Sequence, residues 1–472
     1  MFDSSSEKIR INCTQCGAPI TFPEGDHSVK CPYCSKVLLL ISPQRVLKYY
    51  LNTELDERSI KFVTEGACKR LRVPLPTQFY DPKLYYLPYW RFRGAHYSLL
   101  IDNDRYEFED GTILETEPKV NVISKPFDLN FPGTNIETFR NIFMGIRSRT
   151  LELCPTMPEH LEGVAKIIQP DILMDTAREM AYERTGGIRN QERAFYNELI
   201  GEVLTLVYMP IWVSPFINKE GMFHLVIDGL AKKELSLNKG EWRGIAETDG
   251  FDSIASQKIV PHHCPECGAD LPAGGSAITF HCGNCGRGWH LQQNGLAQKE
   301  FLFAKHEGFD DVSYYPFWQF ETTFAHGAEL LTYQSAMAII GSSLSVFIDD
   351  SSDEIFKFYI PGFKITNPHS AWKFAADLTR CQPDLEYRDS MNVKTAPCSL
   401  EEEEAGEFAR AVWYYLLSCS SKARFRDFGD VNSVPDVYFR PGKIVYLPMK
   451  EDGIFLREQI SGSGIQKKGV PG

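Results

Sequence analysis

The sequence predicts an α+β protein of two tandem related halves, each a four-cysteine unit followed by an antiparallel-β-rich domain with a few helices. Three observations support this prediction. One arrangement of four cysteines recurs 251 positions later, a Tyr-x-Pro signature occurs in both halves, and turn sequences containing glycine separate strand-like stretches. The chain has 472 residues, which is too long for one ordinary core and fits several domains.

Eight of the thirteen cysteines form two sets, each of two Cys-x-x-Cys pairs separated by fourteen residues. Zinc prefers four thiolates at the corners of a tetrahedron, and paired Cys-x-x-Cys turns at this spacing are typical of a zinc ribbon. The sequence therefore predicts two Zn²⁺ ions per chain as cofactors. The predicted ligands are Cys13, Cys16, Cys31, Cys34, Cys264, Cys267, Cys282 and Cys285.

Rubredoxin-like iron and thiol redox chemistry are the alternatives for both sets. Four thiolates leave no open position for water, so a catalytic ion is not expected. A ribbon of this size buries little apolar surface, and we expect metal binding to supply much of its folding free energy. Nearby histidines are expected to be surface residues or neighbours of the ligands, with replacement of one cysteine ligand as the alternative: His27, His262, His263, His281 and His290.

A Tyr-x-Pro-x-Trp signature begins at Tyr86, Tyr208 and Tyr314, and a fourth copy without the Trp begins at Tyr446. Proline cannot donate to a β-ladder, so the signature predicts a strand start or an edge strand. Turn signals follow three copies, at Arg93-Gly94, Glu220-Gly221 and Asp452-Gly453, and predict hairpins. A further hairpin is expected over residues 105–117.

The aromatic faces of these strands allow two interpretations. They form the core, or they are exposed platforms for a proline-rich peptide or single-stranded nucleic acid. The possible binding face consists of Tyr86, Trp90, Arg91, Tyr208, Trp212, Tyr314 and Trp318.

The expected domains are zinc ribbon 1 (1–45), a β-rich domain (46–250), zinc ribbon 2 (251–295) and a second β-rich domain (296–460). Residues 461–472 are expected to form a disordered tail. A capping box at Ser399 predicts a helix over about 400–418, and a second helix is expected over 369–380. Residues 171–204 are expected to form two helices separated at Gly186-Gly187.

The net charge of −12 disfavours nucleic acid as a partner, because an acidic chain lacks long-range attraction to phosphates. The N-terminus has no signal-peptide pattern, and no stretch is apolar enough to span a membrane. We therefore expect a cytoplasmic protein, not an integral membrane protein, whose thiols stay reduced. Common catalytic motifs such as GxSxG, HExxH and the Walker phosphate loop do not occur.

The sequence CTQCGAPI…CPYCSK followed by YLPYWRF resembles a group of bacterial zinc-ribbon proteins, described as TFIIB-type-like, whose function is poorly defined. The resemblance implies zinc ligation by the eight cysteines. Some similar proteins look like partners in envelope- or membrane-associated assemblies.

These observations together predict a non-enzymatic scaffold or adaptor that mediates protein–protein interactions. A nucleic-acid-binding ribbon factor and an enzyme with a site between the two halves are the alternatives. The predicted partners are proteins, and the sequence indicates no particular oligomeric state.

Overall fold

The computed structural model describes residues 8–42, 46–102, 105–107, 113–115, 119–135, 152–156, 165–185, 194–242, 257–292, 295–306, 312–324, 329–340, 353–388, 393–418 and 437–470. Within these ranges the protein is α+β, and most of its regular structure is strand. The five helices of this part are α1 (Glu57–Arg70), α2 (Met174–Thr185), α3 (Tyr333–Ile340), α4 (Pro368–Cys381) and α5 (Glu402–Ser418). None of them is long and apolar enough to cross a membrane.

The strands of the first half are β1 (Lys8–Asn12), β2 (Pro19–Pro23), β3 (Ser28–Lys30), β4 (Val37–Ile41), β5 (Leu47–Leu51), β6 (Gln78–Phe79), β7 (Lys83–Asp102), β8 (Arg105–Glu107), β9 (Ile113–Glu115), β10 (Lys119–Pro132), β11 (Leu153–Pro155), β12 (Lys166–Ile167), β13 (Ala194–Asn218), β14 (Gly221–Asp228) and β15 (Lys233–Lys239). Those of the second half are β16 (Lys258–Pro261), β17 (Thr279–His281), β18 (Gly288–Gln292), β19 (Gly295–Gln298), β20 (Phe301–Ala304), β21 (Val312–Phe324), β22 (Lys357–Pro361), β23 (Tyr387–Arg388), β24 (Val437–Phe439), β25 (Lys443–Asp452), β26 (Phe455–Glu458) and β27 (Gly464–Gln466).

The two halves contain the same arrangement of paired strands. The central order is β10-β7-β13-β5-β11 in the first half and β22-β21-β25-β20-β23 in the second. In each half one central pair is parallel, β5 with β13 and β20 with β25, and its neighbours are antiparallel. The hairpin β14-β15 continues from β13 as β26-β27 continues from β25. This shared topology agrees with the prediction of two related halves.

The Tyr-x-Pro signatures pair with one another across the centre of each sheet. On β7 and β13, Tyr86 lies opposite Pro210 and Pro88 lies opposite Tyr208. The second half repeats the crossed pairing on β21 and β25: Tyr314 opposite Pro448, and Pro316 opposite Tyr446. The prolines therefore lie inside central strands, and the prediction of strand starts or edges is corrected.

Proline is tolerated there because each motif proline lies where its strand changes neighbour. On one side β7 pairs with β12 at Tyr85 and Tyr86, and with β10 from Tyr89 onward. A missing N–H at Pro88 therefore removes no ladder hydrogen bond on that side. All four proline carbonyls accept a backbone N–H from the connecting chain, given by Gly133, Gly229, Gly362 and Gln459.

The turn predicted at Arg93-Gly94 does not form, because β7 runs straight through these residues. Gly94 faces a bulge in β13, where the register shifts between Ile200 and Val203 and Gly201 has φ of 69°. A Cβ on Gly94 would lie 2.9 Å from the ring of Phe127, so glycine is required by close packing. The other two predicted turns are present, since Asn218 pairs with Gly221 and Asp452 pairs with Phe455.

Two other expectations are corrected, and two helices are confirmed. The predicted second helix within 171–204 is a strand from Ala194 onward. The tail forms β27, which pairs with β26 and buries Ile465 at 3% exposure. Helices α4 and α5 match the ranges 369–380 and 400–418. The hairpin expected over 105–117 pairs Glu107 with Ile113.

The core of the second half includes residues of the first. The ends of β7 and β13 insert Tyr97, Leu99 and Tyr196 among the buried side chains of α4, α5 and the second sheet. The Tyr97 hydroxyl donates to the Pro368 carbonyl at 3.1 Å, and the Tyr196 hydroxyl donates to the Glu407 carbonyl at 2.7 Å. The halves are therefore packed against each other through a common apolar core.

Candidate metal centres

All four Cys-x-x-Cys turns have the same backbone geometry. In each turn the N–H of the first cysteine donates to the carbonyl five residues later, at 2.8 Å. The N–H of the fourth residue after that cysteine donates back to its carbonyl. The first cysteines are Cys13, Cys31, Cys264 and Cys282. This repeated pattern fixes both sulfurs of a pair on one side of a tight loop.

The residue after each second cysteine adopts a left-handed backbone conformation. Gly17, Gly268 and Gly286 have φ of 73°, 70° and 73°, as their position in the sequence predicts. Ser35 occupies the fourth such position with φ of 61°. Serine is not a residue type that indicates this conformation, although the common spacing places Ser35 at the equivalent point.

The eight sulfurs gather into two separate groups of four. Within each group all ligand atoms lie within 4.8 Å of one another. The sulfur–sulfur distances are 3.7 Å for Cys13–Cys34 and 3.8 Å for Cys16–Cys31. In the second group the sulfur–sulfur distance is 3.6 Å both for Cys264–Cys285 and for Cys267–Cys282.

These distances fit a tetrahedral metal site and exclude disulfide bonds. A tetrahedron of thiolates with Zn–S bonds near 2.3 Å has sulfur–sulfur edges of about 3.8 Å. A disulfide would bring two sulfurs to about 2.05 Å, and all eight cysteines are free thiols. Each group can therefore hold one metal ion in four-thiolate coordination.

In the second centre a side chain donates a hydrogen bond to the sulfur of Cys267. The Asn284 side chain, followed by the N–H of Ala269, lowers the pKa of Cys267 to about 6. A thiolate is the form that binds a metal ion, so these donors favour the ligating state of Cys267. The residue equivalent to Asn284 in ribbon 1 is Tyr33, which lies between Cys31 and Cys34.

Histidine does not enter either ligand group among the described residues. His262 is fully buried and packs edge-on against Phe280 with a centroid distance of 4.3 Å. Burial lowers the pKa of His262 to about 4, so the ring is neutral in the folded protein. His263 lies 2.8 Å from the Asp270 carboxylate instead of at the sulfurs.

Ribbon 1 is not an isolated unit, because it packs against the central strands of the first half. Cys13 and Cys31 belong to an apolar cluster that also contains Tyr49, Leu87 and Val207 of the central strands. The strand β1 of this ribbon joins the large sheet through β11. Ribbon 2 has a smaller cluster, and part of it is contributed by ribbon 1 at Leu39.

The residues of the possible binding face lie in the core. Relative exposures are 3% for Tyr86, 4% for Trp90, and 0% for Tyr208, Tyr314 and Trp318. Trp212 is partly buried, and its indole N–H lies 3.4 Å from the Thr53 hydroxyl. The indole N–H groups of Trp90 and Trp318 donate to backbone carbonyls. These aromatic side chains therefore act in packing, as the first of the two interpretations requires.

Arg91 is also buried, at 2% exposure, and it is held by two carboxylates. Its guanidinium donates to both oxygens of Asp128, at 3.0 and 2.9 Å, and to Glu24 at 2.7 Å. Glu24 lies between the two cysteine pairs of ribbon 1 and was not identified from the sequence. Alternation of Arg91 with apolar residues on β7 is typical of a strand with one solvent-facing side, so no local pattern indicates its burial.

The other cysteines of the described ranges do not join either centre. Cys68, Cys154 and Cys398 are buried and Cys381 is partly buried, while Cys419 lies outside the described residues. A pocket of about 510 Å³ lies apart from both centres, beside the N-terminus of α1. Its lining residues are Glu54, Leu55, Arg58, Ser59, Phe62, Val63 and Lys232.

No model of a known protein family matches the chain, and no curated protein or solved structure matches it either. The resemblance to bacterial zinc-ribbon proteins therefore stays a prediction from the sequence.

Proposed function

We propose that the chain is a zinc-binding, non-enzymatic scaffold or adaptor protein whose ribbons present rigid surfaces to protein partners. The observation that carries this proposal is the pair of four-sulfur centres, each made of cysteines alone. Zinc is favoured among the candidate ions because it adopts tetrahedral four-thiolate coordination without redox chemistry. Such an ion has no open position for water or substrate, so its contribution is to fix the shape of the loops around it.

The second turn of ribbon 1 supports a role in protein contact. Tyr33 lies between Cys31 and Cys34, and 68% of its surface is exposed. The hydrogen bond from the Cys31 N–H to the Lys36 carbonyl, at 2.8 Å, closes the turn that carries it. A rigidly held tyrosine loses little conformational entropy on binding, and tyrosine is enriched at the centre of protein interfaces. We assign Tyr33 as the contact residue of this ribbon.

A protein is a better candidate partner than a nucleic acid. The chain carries a net charge of −12, and binding to phosphates depends on a basic surface that releases counterions.

The proposal is tested by recovery of partners from native extract with the full chain as bait. Tyr33→Ala should lose at least one partner that the unchanged protein captures, while its metal content and thermal midpoint stay the same. Tyr80→Ala is the matched control, because Tyr80 is 39% exposed and lies outside both ribbons. Equal recovery of every partner with Tyr33→Ala and with the ligand variant Cys13→Ser/Cys264→Ser would contradict the ribbons as contact surfaces.

A further inference from the structure

The strand β4 belongs to ribbon 1 and also forms part of ribbon 2. On one side it pairs with β3 of its own ribbon, and on the other side it pairs with β16, the first strand of ribbon 2. The register with β16 covers all four residues of that strand, from Lys258 opposite Ile41 to Pro261 opposite Leu38. The two ribbons are therefore joined by a continuous three-stranded sheet.

Side chains on β4 alternate between the cores of the two units. Leu38 and Leu40 pack in the cluster that contains Cys13 and Cys31 of the first centre. Leu39 points to the opposite face and packs in the cluster of Cys264 and Cys282, where it is 2% exposed. One strand thus contributes apolar contacts to both metal centres, as the period of two along a strand requires.

Backbone hydrogen bonds join the same two units at the loops beside the ligands. The N–H of His262, two residues before Cys264, donates to the Val37 carbonyl at 2.9 Å. The N–H of His27 donates to the Gly275 carbonyl at 2.7 Å. The Ser28 hydroxyl accepts the N–H of Gly274 at 2.9 Å. The turn that ends with Lys36 is therefore followed directly by β4, the strand against which ribbon 2 packs.

We propose that the two metal centres are coupled, so that an ion bound in one ribbon raises the affinity of the other ribbon for its ion. This inference rests on the proposed metal binding. An ion in ribbon 1 orders the Cys31–Cys34 turn and the start of β4. Ribbon 2 then binds its ion with a smaller loss of conformational entropy, because β4 and Leu39 are already in place. Thermodynamic linkage requires the same factor in the reverse direction.

The strength of the coupling depends on how much of the packing in ribbon 2 is contributed by residues of ribbon 1. Coupling between sites commonly changes affinity by about 5- to 150-fold. The cluster of ribbon 2 contains seven buried residues, one of which is Leu39. We therefore expect the overall association constant for two ions to exceed the product of the two single-site constants by about fivefold or more.

The coupling is measured by titrating the reduced full-length protein with Co²⁺ and following the thiolate-to-metal absorption bands. Three proteins are compared: the unchanged chain, Cys13→Ser/Cys16→Ser, which keeps ribbon 2, and Cys264→Ser/Cys267→Ser, which keeps ribbon 1. The proposal predicts weaker binding at the remaining site in both variants, by the same factor. An overall constant equal to the product of the single-site constants, within twofold, would overturn it.

A second pair of variants keeps all eight thiols and separates coupling from general damage to the fold. Leu39→Ala removes the side chain that β4 gives to ribbon 2, and Leu40→Ala removes its neighbour on the opposite face. We expect Leu39→Ala to weaken the second centre more than the first and to reduce the coupling factor. Leu40→Ala should weaken the first centre more than the second. Identical effects of the two variants on both centres would contradict a shared strand as the route of coupling.

Two different results separate a failure of the proposed metal binding from a failure of the coupling. An intact chain that binds no metal ion overturns the proposed function and the coupling together. An intact chain that binds two ions with independent affinities leaves the metal-binding scaffold in place and overturns only the coupling.

Discussion

The guanidinium of Arg91 lies 2.7 Å from the carboxylate of Glu24, and both side chains are almost fully buried. Arg91 belongs to the central strand β7, and Glu24 belongs to the segment between the cysteine pairs of ribbon 1. The Arg93 guanidinium also lies 3.2 Å from Oε2 of Glu24. The Thr205 hydroxyl donates to Oε1 of Glu24 at 2.8 Å. This buried network attaches ribbon 1 to the sheet.

Removal of one member of the Arg91–Glu24 pair should strongly destabilise the first half. Arg91→Met leaves the Glu24 carboxylate buried with one fewer partner, and loss of one partner of a buried ion pair costs about 3–5 kcal/mol. The measurement is the free energy of unfolding in urea, with the metal content recorded for each protein.

Lys232→Ala is the control for this prediction, since Lys232 forms an exposed ion pair with Glu54, and such pairs contribute at most about 1 kcal/mol. The double variant Arg91→Met/Glu24→Leu should lose less stability than the sum of the two single changes. Equal losses for Arg91→Met and Lys232→Ala would show that the buried pair does not hold ribbon 1 in place.

Ser35 should be a strained position that glycine improves. Its φ of 61° lies in the left-handed region, which costs a residue with a Cβ about 1–2 kcal/mol. We expect Ser35→Gly to raise the free energy of unfolding by about 1 kcal/mol. The reciprocal change Gly17→Ser should lower it by a similar amount, because Gly17 has φ of 73° and no atom lies near its missing Cβ.

Urea unfolding of the metal-loaded proteins compares the two changes directly. Opposite signs for Ser35→Gly and Gly17→Ser support a purely conformational effect at equivalent positions. Destabilisation by both would mean that the Ser35 side chain makes a favourable interaction that outweighs its backbone strain.

The two four-cysteine clusters were predictable from the sequence because the contacts that form each turn are local. Each Cys-x-x-Cys turn is closed by hydrogen bonds within six residues, and the spacing alone indicates the turn. The aromatic signature was also visible, but its meaning depends on pairing between Tyr86 and Pro210, which are far apart in the chain. No local pattern reveals that Pro88 lies where β7 changes neighbour.

The expectations that the structure corrects also depend on contacts between residues that are far apart in the chain. The segment from Ala194 contains residues with good helix propensity, but pairing with β7 along most of its length makes it a strand, since tertiary context overrides weak local preference. Gly94 resembled a turn glycine and is instead a close-packing glycine opposite a bulge. Leu39 gave no sign in the sequence that its partners belong to the other ribbon.

The contact between the halves should weaken as pH rises from about 4.5 to about 7. Glu404 on α5 accepts the N–H of Glu202 on β13 at 2.8 Å. Burial raises the pKa of Glu404 from 4.5 to about 7, against the lowering effect of that hydrogen bond. The carboxylates of Glu202 and Glu401 face it as well, with Arg178 nearby.

The direction of this pH dependence follows from the linkage between proton binding and folding. A carboxyl with a raised pKa binds its proton more tightly in the folded state, so its contribution is complete below about pH 4.5 and is lost by about pH 7. Glu404→Gln removes this titration and keeps an oxygen that can accept the Glu202 N–H.

Thermal midpoints at pH 5.5 and pH 8 test the linkage. We expect the Glu404→Gln protein to lose less stability than the unchanged protein between these two pH values. Glu403→Gln is the control, because Glu403 is exposed on the same helix. The same pH dependence in all three proteins would remove Glu404 as a titrating group of the contact.

Elemental analysis of the protein purified under reducing conditions tests the central claim most directly. The account predicts two equivalents of zinc per chain, and one equivalent after either Cys13→Ser/Cys16→Ser or Cys264→Ser/Cys267→Ser. A chain that carries far less than two equivalents, or a variant that keeps both ions, would contradict it.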